Sequence, residues 1–422
     1  MISRPSIVAL QHRNFRLIWI GLLVSVTGSM MQTAALLWHV SLLVPPDKKA
    51  LALGLVGLVN VVPIVVFSMI SGVVADAWDR RKLMFVTQLG AALVSVMLAV
   101  LTFRGLSVVW PIYLLAGLGT ATVAFDVPAR QALVPMLVPR HHLPNAITLH
   151  TIMFQTASVV GPALGGVVIA GFGVGWVYAA NAVSFACVIA ALLMMRDVPA
   201  RQPSPDGSRE DVSWRAALEG LRFVFRSPLI RSTMLLDFFA TFFSSATALL
   251  PIFAQDILRV GATGYGWLYA APAAGAVLTS AVMVPLTERI KRRGPTMLWA
   301  VAGYGLATIV FGLSRSFWLS FACLAATGAT DIVSLIIRNI VRQLETPDRL
   351  RGRMTGVNMV FFRGGPQLGE LEAGVVANWL GAVFSVVSGG VGCLVAVAWV
   401  AAKTPALRHY GTGKPDAPVA TS

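Results

Sequence analysis

Charged residues are scarce in this sequence. Only 12% of the 422 residues are Asp, Glu, Lys or Arg, whereas 56% are hydrophobic and the mean hydropathy is +0.76. Soluble domains carry about a quarter charged residues, so the composition excludes an ordinary soluble domain and predicts an integral membrane protein. The net charge of +15 does not indicate a nucleic-acid-binding protein, because the basic residues lie in short segments between apolar runs.

Cysteine and catalytic signatures are also lacking. Cys187, Cys323 and Cys393 all lie within apolar runs, which predicts neither a disulfide framework nor a CxxC metal site. The sequence contains no P-loop GxxxxGK[ST], no HExxH and no GxSxG motif. We therefore expect no metal and no cofactor, and an integral-membrane enzyme is the least supported class.

Long apolar runs are what the sequence has in abundance. They predict an all-α integral membrane fold of twelve transmembrane helices, about 20 residues each, in two six-helix pseudo-repeats. The first run begins at Phe15 and is too long for the apolar part of a signal peptide, so we expect it to remain in the membrane. The approximate limits are 15–40, 51–75, 83–103, 108–128, 147–170, 174–195, 232–255, 264–286, 296–314, 317–338, 355–378 and 380–402.

The distribution of basic residues predicts the orientation. With the N-terminus in the cytoplasm, the outer loops hold only five of the 33 Lys and Arg residues, and Arg363 lies within a span. This asymmetry predicts that both termini are cytoplasmic. The five are Lys48, Lys49, Arg104, Arg259 and Arg315.

A polar segment separates the sixth span from the seventh. Its first part is rich in Pro, Ser and Asp and predicts a flexible linker. From Trp214 to Arg226, apolar residues recur at helical spacing, which predicts an amphipathic helix on the inner membrane surface or, alternatively, a partner-binding helix. The predicted domains are an N-terminal six-helix bundle (1–196), a cytoplasmic linker (197–230), a C-terminal six-helix bundle (231–403) and a flexible tail (404–422).

The two halves echo each other in sequence. Parallel repeats of this kind are typical of transporters, in which one half rocks against the other around a site at their interface. The echoes share offsets of about 204 to 209 residues, which argues against chance. They are GLVNVVP at 57–63 with GWLYAAP at 266–272, Arg130 and Pro139 with Arg338 and Pro347, and GPALG at 161–165 with GPQLG at 365–369.

The loop after the second span carries a family signature. Residues 72–81, GVVADAWDRR, resemble the G-x-x-x-D-x-x-G-R-R/K motif of the major facilitator superfamily, with Asp79 where the family has Gly. A weaker echo, Glu288 with Arg292 and Arg293, follows the eighth span. The resemblance implies a cytoplasmic gate held by acid–arginine contacts, although these basic residues also serve to set the topology. The gate candidates are Gly72, Asp76, Arg80, Arg81, Asp126 and Arg130.

The fifth span carries a second signature. Residues 161–166, GPALGG, resemble the GPxxGG end of a motif found in exporting members, with Ala157 replacing an earlier Gly. Gly161, Pro162, Gly165 and Gly166 are therefore predicted to allow close helix packing. Together with FDVPARQA at 125–132 and NAVSF at 181–185, the motif resembles an efflux subgroup. The resemblance implies export across a bacterial inner membrane of a siderophore-like or drug-like molecule.

Polar residues inside the predicted spans are the candidates for function. A charge at membrane depth costs roughly 3 to 10 kcal/mol or more, so such residues usually line an aqueous path. Arg363, Gln367 and Glu370 share one face of the eleventh span, and Glu372 points almost the opposite way. The alternative is an internal ion pair that only holds neighbouring helices together. The predicted substrate-cavity residues are Arg363, Gln367, Phe239 and Phe362.

We predict that a buried acid couples transport to protons. A carboxyl group in apolar surroundings can bind and release a proton near neutral pH. Glu370 ranks first and Asp331 second, followed by Glu372 and Asp237, which can instead pair with a loop Arg. Since an adjacent Arg keeps an acid ionised, Asp331 would have to separate from Arg338 during the cycle.

These observations predict a secondary active exporter. Its expected partners are a small amphiphilic molecule, protons and the lipid bilayer, with no nucleic acid, and the chain is expected to be monomeric. The alternative is an uncoupled facilitator or a lipid flippase of the same fold.

Overall fold

The computed structural model describes residues 7–196, 221–243, 246–287, 289–347 and 350–411. Every regular element within these ranges is helical. For some helical residues the structure describes the backbone and not the side chain or its surroundings. Gly72, Asp76 and Arg363 are among them. Most of the predicted linker helix from Trp214 also lies outside it, although 221–226 is helical.

Twelve helical segments in the described ranges follow the predicted spans; the seventh, Pro228–Ile257, joins a 16-residue helix to shorter helical turns. By length and composition, eleven of the twelve are candidates to cross a membrane. The exception is α11, which is 30 residues long and holds Arg363, Glu370 and Glu372. The all-helical membrane fold class is thus confirmed. The helices are α1 (Arg13–Leu43), α2 (Lys49–Ala77), α3 (Arg80–Phe103), α4 (Trp110–Leu133), α5 (Leu143–Phe172), α6 (Val174–Met194), α7 (Pro228–Phe243), α8 (Gly261–Leu286), α9 (Arg293–Leu313), α10 (Phe317–Glu345), α11 (Arg351–Leu380), α12 (Ala382–Lys403) and the short α13 (Pro405–His409).

Two connections consist of a single glycine. Gly173 joins α5 to α6 and Gly381 joins α11 to α12, each with φ of 90°. Residues with a side chain rarely adopt this backbone conformation, so glycine is required where two long helices reverse within one residue. A single glycine therefore connects the last two helices in each of the two predicted halves.

The chain divides into two compact units. The first consists of Met1–Pro45, Val59–Ser208 and Val260–Ala270, and the second of Pro46–Leu58, Arg209–Arg259 and Ala271–Ser422. The start of α2 therefore belongs with the second unit and the start of α8 with the first. The predicted domain boundaries at 196, 230 and 403 stay a prediction.

Each unit has its own apolar core. In the first unit α1 packs against α5 and α6, around Phe15, Leu22 and Met153. In the second unit α9 packs against α10 and α12, around Met297 and Val341. These cores hold the polar side chains described below in defined positions.

Candidate functional site

Glu370 lies where α11 crosses the first half of α2, within the second unit. A Cβ atom placed on Gly57 would lie 2.9 Å from the Glu370 Cβ and 3.3 Å from its Oε2. Nearby, a Cβ atom on Gly54 would lie 2.8 Å from the Gly374 Cα. Glycines at the crossing therefore allow the two backbones to approach until the Glu370 carboxyl group lies against α2.

The Glu370 carboxyl group has no Lys or Arg partner among the described side chains. Gln367 lies one helical turn before Glu370. Its Oε1 atom is buried and has no hydrogen-bond partner among the residues that the structure describes. Glu372 is partly buried, and Phe362 is 41% exposed. The structure thus brings Gln367 and Glu370 to one helix crossing, while Arg363 remains outside the description.

A cluster of buried charges lies elsewhere in the second unit. Arg338 on α10 is 1% exposed and forms an ion pair with the buried Asp237 on α7. Its Nη2 atom lies 3.4 Å from the Oδ1 of Asp331, two helical turns earlier on α10. Arg342 donates to the Arg338 carbonyl at 3.2 Å and to Asn358 on α11. Asp237 therefore pairs with a helix-borne Arg rather than with a loop Arg.

Asp331 also borders a small cavity of about 120 Å³. Three threonines and a tyrosine are among its lining residues, together with several apolar side chains. The lining residues come from α8, α9, α10 and the segment after α7, and they are Ala246, Thr247, Pro272, Tyr304, Thr308, Phe311, Leu324, Thr327, Gly328 and Asp331.

Phe239, predicted to line a substrate cavity, packs against aromatic residues of the second unit. Its ring stacks on Phe243 at 6.0 Å and meets the edge of Trp399 on α12 at 6.4 Å. Trp399 is largely exposed on α12. A role for Phe239 in substrate binding stays a prediction.

The gate candidates lie in the first unit. Asp126 is buried, forms an ion pair with Arg130, and accepts hydrogen bonds from Thr87 Oγ1 at 3.0 Å and Gln88 Nε2 at 2.8 Å. These contacts connect α3 to α4. Asp126 therefore accepts from three donor groups on two helices, which suits a structural anchor at the predicted cytoplasmic end.

The departure from the family loop motif has a structural reason. Asp79 is the N-cap of α3, where its carboxylate accepts from the backbone N–H of Arg81 at 2.9 Å and of Lys82 at 3.1 Å. Arg80 donates to the Met136 sulfur at 2.8 Å, and Arg81 to the Leu193 carbonyl at 3.5 Å. A helix-capping carboxylate thus occupies the position where the motif has glycine.

The GPALGG segment of α5 makes close contacts on two sides. A Cβ atom on Gly161 would lie 2.8 Å from the Thr27 carbonyl oxygen on α1. A Cβ atom on Gly166 would lie 2.6 Å from the Ala262 carbonyl oxygen and 2.9 Å from the Gly266 Cα on α8. Pro162 is buried and Gly165 lies beside Met31. These residues lie at close helix contacts, and the packing role predicted for the segment stays a prediction.

The sequence motifs did not predict several polar contacts that the structure shows. Lys49 donates to Gln255 Oε1 and Asp256 Oδ2, each at 3.1 Å, in the second unit. In the first unit Asn181 and Ser95 both donate to Gln32 Oε1, at 2.9 and 2.7 Å. The NAVSF segment gave a signal for Asn181 only, whereas nothing in the sequence pointed to the other partners.

The helical fold defines a class, a multi-pass membrane protein, and the comparisons with known proteins specify it further. A family model described as "Transmembrane secretion effector" matches residues 5–411, so the chain belongs to this family of the major facilitator superfamily. It is therefore a transporter and not an enzyme.

Known proteins agree with this assignment. The enterobactin exporter EntS of Escherichia coli strain K12 is 28% identical over 397 residues, covering 94% of this chain and 90% of that protein. Among solved structures, a bacterial homologue of the human lysosomal transporter Spinster matches with a TM-score of 0.72 and 15% identity, covering 96% of this chain and 99% of that chain. The nucleoside transporter NupG matches with a TM-score of 0.67 and 13% identity, covering 94% and 100%. The structural matches show the fold alone.

Proposed function

We propose that this protein is a proton-coupled exporter of a small amphiphilic molecule, siderophore-like or drug-like, across a bacterial inner membrane. The observation that carries export is the similarity to EntS, which extends over 94% of the chain at 28% identity. The name of that protein specifies enterobactin as its substrate. Siderophore export therefore has the most direct support.

Coupling to protons rests on Glu370. Its carboxyl group lies against Gly57 and has no described cationic partner. An ionised carboxylate is costly in such a place, so the group is expected to carry a proton while α2 and α11 are packed together here. Where the helices separate and water reaches Glu370, the proton can leave. Protonation would then favour the packed crossing, which links proton binding to a conformational change.

Alternating access is the expected transport mechanism. The close crossings at Gly54–Gly374 and Gly166–Gly266 both lie toward the predicted outer ends of their helices. Crossings that depend on glycine can separate without breaking large side-chain contacts, which suits a gate. With both termini in the cytoplasm, these crossings would close the outer side. The Asp126–Arg130 region would belong to the inner gate.

The direct test measures transport in inverted membrane vesicles, with enterobactin as the probe. The wild-type protein should accumulate enterobactin when a pH gradient is imposed, and an uncoupler should abolish the accumulation. Glu370→Gln should lose proton-driven transport at normal expression, because a Gln side chain cannot bind and release a proton. Intact proton-driven transport in this variant would remove Glu370 from the mechanism.

Glu345→Gln is the matched control. Glu345 is an exposed acid at the end of α10, where it accepts a hydrogen bond from Tyr410 at 2.8 Å. The same substitution there should leave coupled transport unchanged. If wild-type transport persists in the presence of the uncoupler, the alternative of an uncoupled facilitator or lipid flippase is correct. If a drug-like dye is transported and enterobactin is not, the substrate belongs to the drug-like class.

A further inference from the structure

The Asp237–Arg338–Asp331 cluster contains two acids in very different positions. Asp237 is buried and forms a close ion pair with Arg338. The Asp331 side chain is 42% exposed, and its Oδ1 atom lies 3.4 Å from Arg338 Nη2. The Arg338 side chain is 1% exposed. Removing the charged partner of a buried guanidinium is strongly destabilising, because the remaining charge is left uncompensated. Asp237 is the closer of the two charged partners of Arg338.

Asp331 can therefore lose its charge without leaving Arg338 unpaired. If Asp331 were protonated, the Asp237–Arg338 pair would remain. If Asp237 were protonated instead, Arg338 would keep only the longer contact to a half-exposed carboxylate. Of the two acids, the geometry assigns proton exchange to Asp331 and a fixed charge to Asp237.

The cavity gives Asp331 access to water. A volume of about 120 Å³ holds several water molecules, since one requires about 10 to 15 Å³ of such space. Thr247, Thr308 and Thr327 are among the residues that line it, and the hydroxyls of Thr308 and Thr327 donate to backbone carbonyls of their own helices. Ser334 lies between Asp331 and Arg338 on the same face of α10, and its buried Oγ has no hydrogen-bond partner among the described residues. Buried hydroxyls ordinarily have a hydrogen-bond partner, which is either a protein group or a water molecule.

The titratable and charged groups around Asp331 come from several helices. Arg338 and Arg342 lie on its own helix, Asp237 on α7 and Tyr304 on α9. Pro272 of α8, which also borders the cavity, is uncharged. Arg342 is directed to Asn358 and to the Arg338 carbonyl. Asp331 is thus the acid of the cluster that borders the cavity and has the longer contact with its arginine.

We infer that the cavity beside Asp331 is a second proton-binding site, in which Asp331 exchanges a proton with enclosed water while Asp237 remains the counter-ion of Arg338. In this step the carboxylate of Asp331 gains one proton from a hydronium ion and later returns it to water. The inference rests on the proposed proton coupling and adds a site distinct from Glu370. It would allow more than one proton to move in each transport cycle.

Infrared difference spectroscopy on the full-length protein in lipid tests this site without any substrate. Lowering the pH should produce the carbonyl stretch of a protonated carboxyl group. Asp331→Asn should abolish one such band, and Asp331→Glu should restore it at a shifted frequency. Asp47→Asn, at an exposed residue between α1 and α2, is the matched control and should leave the band unchanged.

The outcomes separate this site from the proposed function. A spectrum of Asp331→Asn identical to that of the wild type would overturn the site, even if transport is proton-driven. A band that depends on Asp331 in a protein whose transport is insensitive to the uncoupler would support the site and refute the coupling through Glu370. Loss of the band in Glu370→Gln with no change in Asp331→Asn would assign the proton to Glu370 alone.

Discussion

The ion pair of Arg338 should dominate the stability of the second unit. Asp237→Asn removes the close counter-ion of a side chain that is 1% exposed and leaves only the 3.4 Å contact to Asp331. Leaving a buried charge without its partner costs about 3 to 5 kcal/mol, and the remaining contact places this variant at the lower end, about 3 kcal/mol. At about 2 to 4 °C per kcal/mol, the unfolding midpoint should fall by about 6 to 12 °C.

Asp331→Asn provides the matched comparison. It is the same substitution in the same cluster, but Asp331 is 42% exposed and Arg338 keeps Asp237. Half-exposed pairs contribute about 0 to 1 kcal/mol, so the midpoint should fall by less than about 4 °C. In the double variant Asp237→Asn with Arg338→Gln, part of the loss should be recovered, because the buried Arg338 charge is removed together with its close counter-ion and the Asp331 side chain is 42% exposed.

The cysteines of this chain provide the assay. Cys323 and Cys393 are buried in the second unit, whereas Cys187 is exposed in the first. In a Cys187→Ser background, a thiol-reactive fluorescent dye therefore reports unfolding of the second unit during a thermal ramp in detergent. Equal losses for the two Asp→Asn variants, or no loss for Asp237→Asn, would refute the assignment of Asp237 as the permanent counter-ion.

Two further predictions concern helix packing and helix capping. Gly166→Ala should impair transport, because its Cβ atom would lie 2.6 Å from the Ala262 carbonyl oxygen, whereas Gly171→Ala, with nothing within 4 Å, should behave as the wild type in the vesicle assay. Asp79→Ala should destabilise the protein by about 1 kcal/mol and Asp79→Gly by only a few tenths, measured as thermal midpoints, since glycine is a tolerated N-cap. Equal transport by Gly166→Ala and Gly171→Ala would contradict the packing explanation. Equal thermal midpoints for Asp79→Ala and Asp79→Gly would contradict the capping explanation.

The departures from the family motifs could be explained only with the structure. The sequence showed Asp79 where the family motif has glycine, and the structure shows a carboxylate that caps α3. Glu370 was selected from sequence because a charge within an apolar run is unusual, and that argument needs no coordinates. The glycines that face it, Gly54 and Gly57, belong to a helix about 300 residues away in sequence, and no local pattern relates them to Glu370.

The sequence alone was enough to predict the helices, their order and the resemblance between the two halves. A chain in lipid must satisfy its backbone hydrogen bonds within each segment, so an apolar run of sufficient length has helix as its available structure. Which side chains pair between different helices could be seen only in the tertiary structure. The spacing on α10 predicted that Asp331 would pair with Arg338, but the close partner is Asp237 on α7. Sequence spacing reports which side chains share a face of one helix, whereas the packing of separate helices decides which charges meet.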